Sequence, residues 1–225
     1  MITAPPDSRP PNKQALKKAF RGCAAEITKF TFYPYRAADR SIAMIQARAD
    51  LRDGKKEFRR FTWDGGSWKL GGGSSERMPV FRLPEALARP DVPVLIVEGE
   101  KACLAAELIL PHYTPVAPQL NADLDWMWNR NVIILPDNDE AGMIKAKKWH
   151  DILPDSVVLD PEWVNTEVFE RPSEKGWDIA DTKVGKYYYV PAMCCGGLAV
   201  ISETMYCCSS ACDFDKVEES LKELL

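Results

Sequence analysis

Val94-Leu95-Ile96-Val97-Glu98-Gly99-Glu100-Lys101 and, further along, Val132-Ile133-Ile134-Leu135-Pro136-Asp137-Asn138-Asp139 are the stretches that decide the fold. Each opens on an apolar run with the length and β-branched content of a buried parallel strand. Each then turns acidic and passes into a helical pattern. Glu98 and Asp137 therefore fall at the carboxyl ends of two strands, where open α/β sheets hold ligands. Asp137 and Asp139, two apart on an extended strand end, point to the same side, and Glu98 approaches from a different strand. Mg²⁺ is a hard cation that takes one or two protein carboxylates together with substrate phosphates. Such a set suits phosphoryl or nucleotidyl transfer, one carboxylate group holding metal while another handles a proton. Acids at these positions also serve as helix caps or solvated loop residues, so the weight rests on the two clusters occurring in the same register.

Val-Leu-Ile-Val-Glu-Gly-Glu-Lys-Ala at 94–102 and Ile-Leu-Pro-Asp-Asn-Asp-Glu-Ala-Gly at 134–142 together resemble a Toprim domain, in particular the Toprim module of phage- and plasmid-type DNA primases. The resemblance implies Glu98 as general acid/base and Asp137 and Asp139 as magnesium ligands. It places Gly142 at the helix opening. Gly99 and Lys101, beside the acidic motif, are candidates for nucleotide contact, with Lys101 reading equally as a helix-surface lysine. Gly176-Trp177-Asp178 resembles the family's closing motif, in which Asp178 adds to the acidic site. Upstream, Tyr33, Tyr35, Arg48, Gly54-Lys55-Lys56, Phe58, Trp63 and Trp68 are similar to the β-rich region that precedes Toprim in these primases, and Phe81-Arg82-Leu83-Pro84-Glu85 to the lead into the first Toprim strand. Val116 to Ala122 departs from the family by lacking glycines, although Asp125-Trp126 matches it. The likeness spans roughly residues 30–183.

Read without the family, the upstream stretch still makes sense. Residues 42–49 alternate in part, Phe58-Arg59-Arg60-Phe61-Thr62-Trp63 is aromatic and basic, and Asp64-Gly65-Gly66 supplies a tight turn before Ser67-Trp68-Lys69-Leu70. An antiparallel meander is the simplest arrangement. Charge is split between the halves. Residues 1–90 hold 18 Lys and Arg against 9 Asp and Glu, a net of +9, while residues 91–225 hold 11 against 24, a net of −13. The whole chain is at −4, which excludes a general DNA-coating protein. A basic half beside an acidic, metal-binding half suits a surface that grips a template and joins nucleotides. Arg48, Lys55, Lys56, Arg59 and Arg60, with Arg52, are the candidates for phosphate contacts; Phe58, Phe61 and Trp63 are candidates for base stacking or, equally, for core positions.

At 225 residues and 46% hydrophobic, the chain is long enough to bury a real core. It contains no run of about 18 apolar residues that would span a membrane. Its Pro-rich, polar start lacks the apolar core of a signal peptide, so a cytoplasmic location is expected. Four regions follow: a disordered lead with a short basic helix (1–29), a β-rich basic subdomain (30–90), the Toprim-like region (91–183) and a Cys-rich tail ending in an amphipathic helix (184–225). Gly71 to Ser75 reads as a flexible linker, and His112 and His150 as structural. Cys103 is expected to be a small buried residue. In the tail, the doublets Cys194-Cys195 and Cys207-Cys208 do not give the spacing of a structural zinc site, although Cys208 and Cys212 supply the spacing of one half; reduced thiols are the expected state.

The expected fold is α/β, a Toprim-like, mainly parallel sheet flanked by helices and preceded by a small β-rich subdomain. The expected activity is Mg²⁺- or Mn²⁺-dependent primer synthesis: template-directed joining of ribonucleoside triphosphates on single-stranded DNA, with a replicative helicase as a further partner. A Toprim nuclease shares the acidic set, and a non-catalytic module that binds DNA or recruits a helicase is the other alternative.

Overall fold

The computed structural model describes residues 2–71, 78–119, 121–169 and 175–182, together with the backbone of three strands in the tail. The chain forms two compact units, Met1–Asp91 with Val116–Arg130, and Val92–Pro115 with Asn131–Leu225.

In the first unit, helix α1 (Lys13–Ala19) starts at Asn12, whose Oδ1 accepts from Ala15 N at 2.9 Å. Four strands follow, β1 (Ile27–Arg36), β2 (Ile42–Leu51), β3 (Lys56–Trp63) and β4 (Trp68–Leu70), in an antiparallel sheet whose spatial order is the sequence order. The last hairpin closes where Asp64 Oδ1 accepts from Gly66 N at 3.0 Å and Ser67 N at 2.7 Å, with Gly65 at φ +99°. Strand alternation sends Ile45, Ala47, Ala49 and Phe61 to one face, where they pack with Phe30 and Phe32 against Leu16, Ala19 and Phe20. The opposite face carries Tyr33, Tyr35 and Met44, all buried. Residues 2–12, expected to be disordered, are tied to the sheet: Ala4 exchanges two 2.8 Å backbone hydrogen bonds with Ile42 and is fully buried. Strand β5 (Val80–Phe81) leads into helix α2 (Leu83–Leu87), and the Phe81 ring lies 5.3 Å from that of Tyr35. Arg130 fastens α2, its guanidinium donating to Ala86 O at 2.9 Å and Arg89 O at 2.6 Å.

The second unit alternates strand and helix: β6 (Val94–Ile96), α3 (Glu100–Ile109), β7 (Thr114–Pro118), β8 (Val132–Ile134), α4 (Glu140–Ile152) and β9 (Val157–Val158). Strands β6, β8 and β9 are parallel neighbours in that order, with Val94 opposite Val132 and Ile96 opposite Ile134. β7 joins this unit through Thr114, whose N–H donates to Pro93 O at 2.9 Å. The other end of β7 lies in the first unit, where Ala117 and Pro118 pair antiparallel with β5. The sheet is thus mixed, and the strictly parallel portion is shorter than the sequence suggests. Helix α3 buries Ala102, Cys103, Ala106 and Ile109; α4 buries Gly142, Ala146 and Trp149, at the spacing of one helical face. The short strands, Tyr188–Pro191, Leu198–Ile201 and Met205–Cys207, form an antiparallel set in the tail. The side chains of the tail cysteines, the 214–225 helix and most of the glycine linker lie outside the described residues. Among the described residues no helix is long and apolar enough to cross a membrane.

Candidate functional site

The parallel pairing of β6 with β8 sets their carboxyl ends side by side, and the chain leaves each through an acidic residue. Glu98 follows β6. Its side chain is only 6% exposed, and its Oε1 accepts from Asp137 N at 3.1 Å, so the two strand ends are hydrogen-bonded to each other. Its Oε2 accepts from the Lys145 ammonium on α4. Burying an ionised carboxylate is costly unless it is paired and hydrogen-bonded, and here it has both partners.

Asp137 follows β8 and differs from its neighbours, because its carboxylate accepts no hydrogen bond from the described residues. Burial pushes its carboxyl up, and the negative charges of Glu98, Asp178 and Asp139 push it further. Lys145 offsets this only in part, and the result is a value of about 7 against an ordinary 3.8. A carboxyl group at that value carries a proton about half the time at neutral pH.

Asp139 is turned to another task. Its Oδ1 caps α4, accepting from Gly142 N at 2.7 Å. Asp178 is also a cap, accepting from Ala180 N at 2.6 Å at the start of a single turn over Ile179–Asp181, while its own N–H donates to Asp181 Oδ2 at 3.2 Å. The helix-cap alternative is thus realised at two of the predicted ligands. The Asp178 segment is drawn to the site by two backbone bonds: Asn138 N donates to Trp177 O at 2.8 Å, and Gly176 N to Asn138 O at 2.7 Å.

Gly142 is required for space rather than for its backbone angles. A Cβ there would stand 2.4 Å from Asp137 O and 2.4 Å from Glu98 Oε1. Only a bare Cα lets α4 approach the strand end so closely. Gly99, by contrast, has open space around it and serves as the N-terminal boundary of α3. Lys101 is engaged by Asp181 at 3.3 Å, which links α3 to the turn holding Asp178. Beside the cluster, an open cavity of about 540 Å³ is lined by Asn138, Asp139, Glu140, Met143, Asp160 and Glu162 among others. It lies at the carboxyl ends of β8 and β9, the ligand side of an α/β sheet.

The donors are all carboxylate oxygens, the kind a hard divalent cation takes. Their crowding, expressed in the raised Asp137, is what such a cation would relieve, so the residues fit magnesium or manganese in kind. They are not drawn together as they stand: among the described residues no three His, Cys, Asp or Glu side chains converge on one point.

Sequence reasoning missed Lys145, which reads as one of several lysines on a helix surface. The available signal was its place three residues after Gly142. Side chains three apart share a helix face, and Gly142 marks the face pressed against the acidic strand ends.

The residues expected to hold nucleic acid are distributed over the first unit. Lys55 is 78% exposed in the β2–β3 turn, paired with Asp53 at 2.7 Å, and Lys56 opens β3 exposed to solvent. Arg48 is 16% exposed and locked onto Asp50, its Nε donating at 2.8 Å. Arg59 lies over the Phe20 ring, 5.2 Å from its centroid, and donates to Ala19 O at 3.1 Å. Arg60 points to the opposite face, with Nη1 against Met78 Sδ at 3.5 Å. Of the aromatics, Phe58 is well exposed, whereas Phe61 is a core residue and Trp63 packs on Trp68 beside that core. Alternation along β3 accounts for the difference, since odd positions face α1. Cys103 is fully buried, as expected.

No protein-family model matches the chain, and no curated protein matches its sequence. Among solved structures, a DNA primase domain from Pseudomonas aeruginosa is similar over 67% of this chain and 45% of its own, at 15% identity and a TM-score of 0.43. The RNA polymerase domain of Mycobacterium tuberculosis primase DnaG is similar over 62% of this chain and 51% of its own, at 18% identity and a TM-score of 0.40. The chain spans about half the length of these two structures.

Proposed function

We propose that the protein is a primase-like nucleotidyltransferase that joins ribonucleotides on a single-stranded DNA template with Mg²⁺ or Mn²⁺. The observation that carries this reading is the crowding of Glu98, Asp137, Asp139 and Asp178 at the carboxyl ends of β6 and β8, which leaves Asp137 at about 7. A structural ion-pair network settles its carboxylates with donors; this one leaves the Asp137 carboxylate without any among the described residues, and its neighbours Asn138 and Asp139 line an open cavity. Perturbed carboxyl groups of this kind mark sites of chemistry.

Asp137 and Asp139, with Asp178 in support, would hold the metal. When bound, the cation would neutralise the charge that develops on a triphosphate during transfer. Gly142 keeps α4, which Asp139 caps, pressed against the strand end that carries Asp137. Glu98, held by Asp137 N and Lys145, stands ready to take a proton or to ligate a second cation. Its buried hydrogen bonds fix it in place, the preorganisation that proton transfer requires. Lys101, tied to Asp181, holds the Asp178 turn against α3 and offers a cation near the incoming nucleotide. On the first unit, Lys55 and Lys56 are the accessible cations for the template backbone, and Phe58 offers a ring for stacking. Ribonucleoside triphosphates and single-stranded DNA are the partners this reading requires; a helicase is compatible with it.

Primer synthesis on single-stranded DNA, with ribonucleotides and Mg²⁺ or Mn²⁺, tests the proposal. Wild type should yield oligoribonucleotides, and Glu98→Gln and Asp137→Asn should yield none while still folding. Metal-dependent DNA cleavage without added nucleotides would instead assign the same carboxylates to a nuclease. DNA binding with no metal-dependent chemistry would reduce the chain to a binding module.

A further inference from the structure

Lys145 stands apart from the other cations of α4. Lys147 is 74% exposed and pairs with Asp151 one turn along the same helix, an ordinary surface arrangement. Lys145 instead reaches across to another element and pairs with a carboxylate that is 6% exposed. The backbone makes this reach possible. Gly142 brings α4 so near that a Cβ there would touch Glu98 Oε1, and Lys145 lies on the same face one turn later. Helical side chains lean toward the amino terminus, which directs its ammonium back onto Glu98 Oε2. The Lys145 side chain is itself 37% exposed, so it has a path out to solvent. A cation thus already sits on the first carboxylate of the cluster, tethered to the helix that Asp139 caps.

We propose that Lys145 is a built-in counter-ion for the acidic site. Its ammonium holds Glu98 until a divalent cation displaces it, so the two cations compete for one carboxylate. The inference rests on the metal-dependent reading above. Without metal, Lys145 keeps a buried negative charge compensated and the strand ends in place. With metal, the ammonium is released beside the cluster, within reach of the phosphate that accompanies the cation. Lys145 is a positioning residue on this account, acting through Glu98 rather than on the reacting atoms.

Competition has a signature that a purely structural salt bridge lacks: removing the lysine must tighten divalent binding. Mn²⁺ binding, followed by loss of the free-ion electron paramagnetic resonance signal, reads this without any turnover. Coupling between two ligands typically changes the affinity of each by about 5–150-fold, with tenfold near the low end. Lys145→Met should therefore bind Mn²⁺ about tenfold more tightly than wild type, and Lys145→Arg should remain close to wild type. Should Lys145→Met fail to fold without metal, refolding on addition of Mn²⁺ supports the proposal, and Lys145→Gln, which keeps a hydrogen-bond donor, supplies the affinity. Glu98→Gln should weaken binding and erase the difference between lysine and methionine at 145. Wild-type affinity in a folded Lys145→Met or Lys145→Gln, with Glu98→Gln still weakened, overturns this inference and leaves the metal site standing. No specific Mn²⁺ binding in any variant overturns both.

Discussion

Replacing Gly142 by alanine sets two physical effects against each other, and the structure says which one wins. Gly142 is the third residue of α4, in ordinary helical conformation, where alanine is favoured over glycine by about 1 kcal/mol. Propensity alone therefore predicts a more stable protein. The added Cβ, however, would lie 2.4 Å from both Asp137 O and Glu98 Oε1. Comfortable contact begins at about 3.5 Å, so α4 must retreat by roughly 1 Å or the strand end must move. Overpacking of that kind costs about 1–3 kcal/mol. The hydrogen bond from Asp137 N to Glu98, at 3.1 Å, is strained by the same shift, and bonds to charged groups contribute about 1.5–3 kcal/mol. With that bond only partly weakened and the propensity gain subtracted, the net destabilisation is about 2–3 kcal/mol. For a chain of this size that lowers the thermal midpoint by about 5–10 °C. Circular dichroism melts of wild type and Gly142→Ala measure it directly. Gly22→Ala is the control, because no atom lies within 4 Å of its Cβ position, and its midpoint should move little. A Gly142→Ala protein that melts at or above wild type would refute the reasoning.

Asp137 gives the site a pH dependence with a definite sign. Its carboxyl is raised from 3.8 to about 7, so the folded state binds the extra proton, and its contribution to stability falls as pH rises from about 4 to about 7. The shift sets a ceiling of about 4 kcal/mol, and partial access of water reduces this to about 2 kcal/mol. Asp137→Asn should flatten that part of the stability profile, and a profile unchanged by the substitution contradicts the assignment. Glu98→Gln removes the largest of the neighbouring charges acting on Asp137, so a carbon-13 titration of the carboxyl should move down from about 7; an upward move would place the cause elsewhere. On the first unit, Arg59→Ala should destabilise by about 1–2 kcal/mol through loss of its contact with Phe20 and its bond to Ala19 O. Lys55→Ala should leave the melt unchanged and reduce the salt dependence of single-stranded DNA binding. The opposite pattern would reverse the roles given to these two cations.

The strands that carry the acidic site were legible because their signal is local. Val94 to Val97 and Val132 to Leu135 are continuous apolar runs of strand length and β-branched content, as strands buried on both faces have. Asp64-Gly65-Gly66 likewise announced its hairpin through turn chemistry, with Gly65 taking the left-handed backbone. The division of β3 into core and surface was half legible: alternation separates Arg60 from Phe61, but the sequence does not say which face α1 covers. The Ala4 bridge to Ile42 gave no signal at all, since a single backbone pair leaves no periodicity.

What the sequence determined by itself is therefore the inventory: two apolar strands, each delivering carboxylates at its carboxyl end, a glycine at the head of the second helix, and a basic stretch upstream. What only the tertiary structure decided is how those carboxylates share their surroundings. Asp139 and Asp178 are fastened as caps, Glu98 is held by Lys145, and Asp137 is left to take up a proton. Charge interaction depends on distance and burial, and those are set by the parallel register of β6 with β8 and by the closeness of α4 at Gly142. Neither can be read along a single chain, because each is a relation between segments that meet only when the chain has folded.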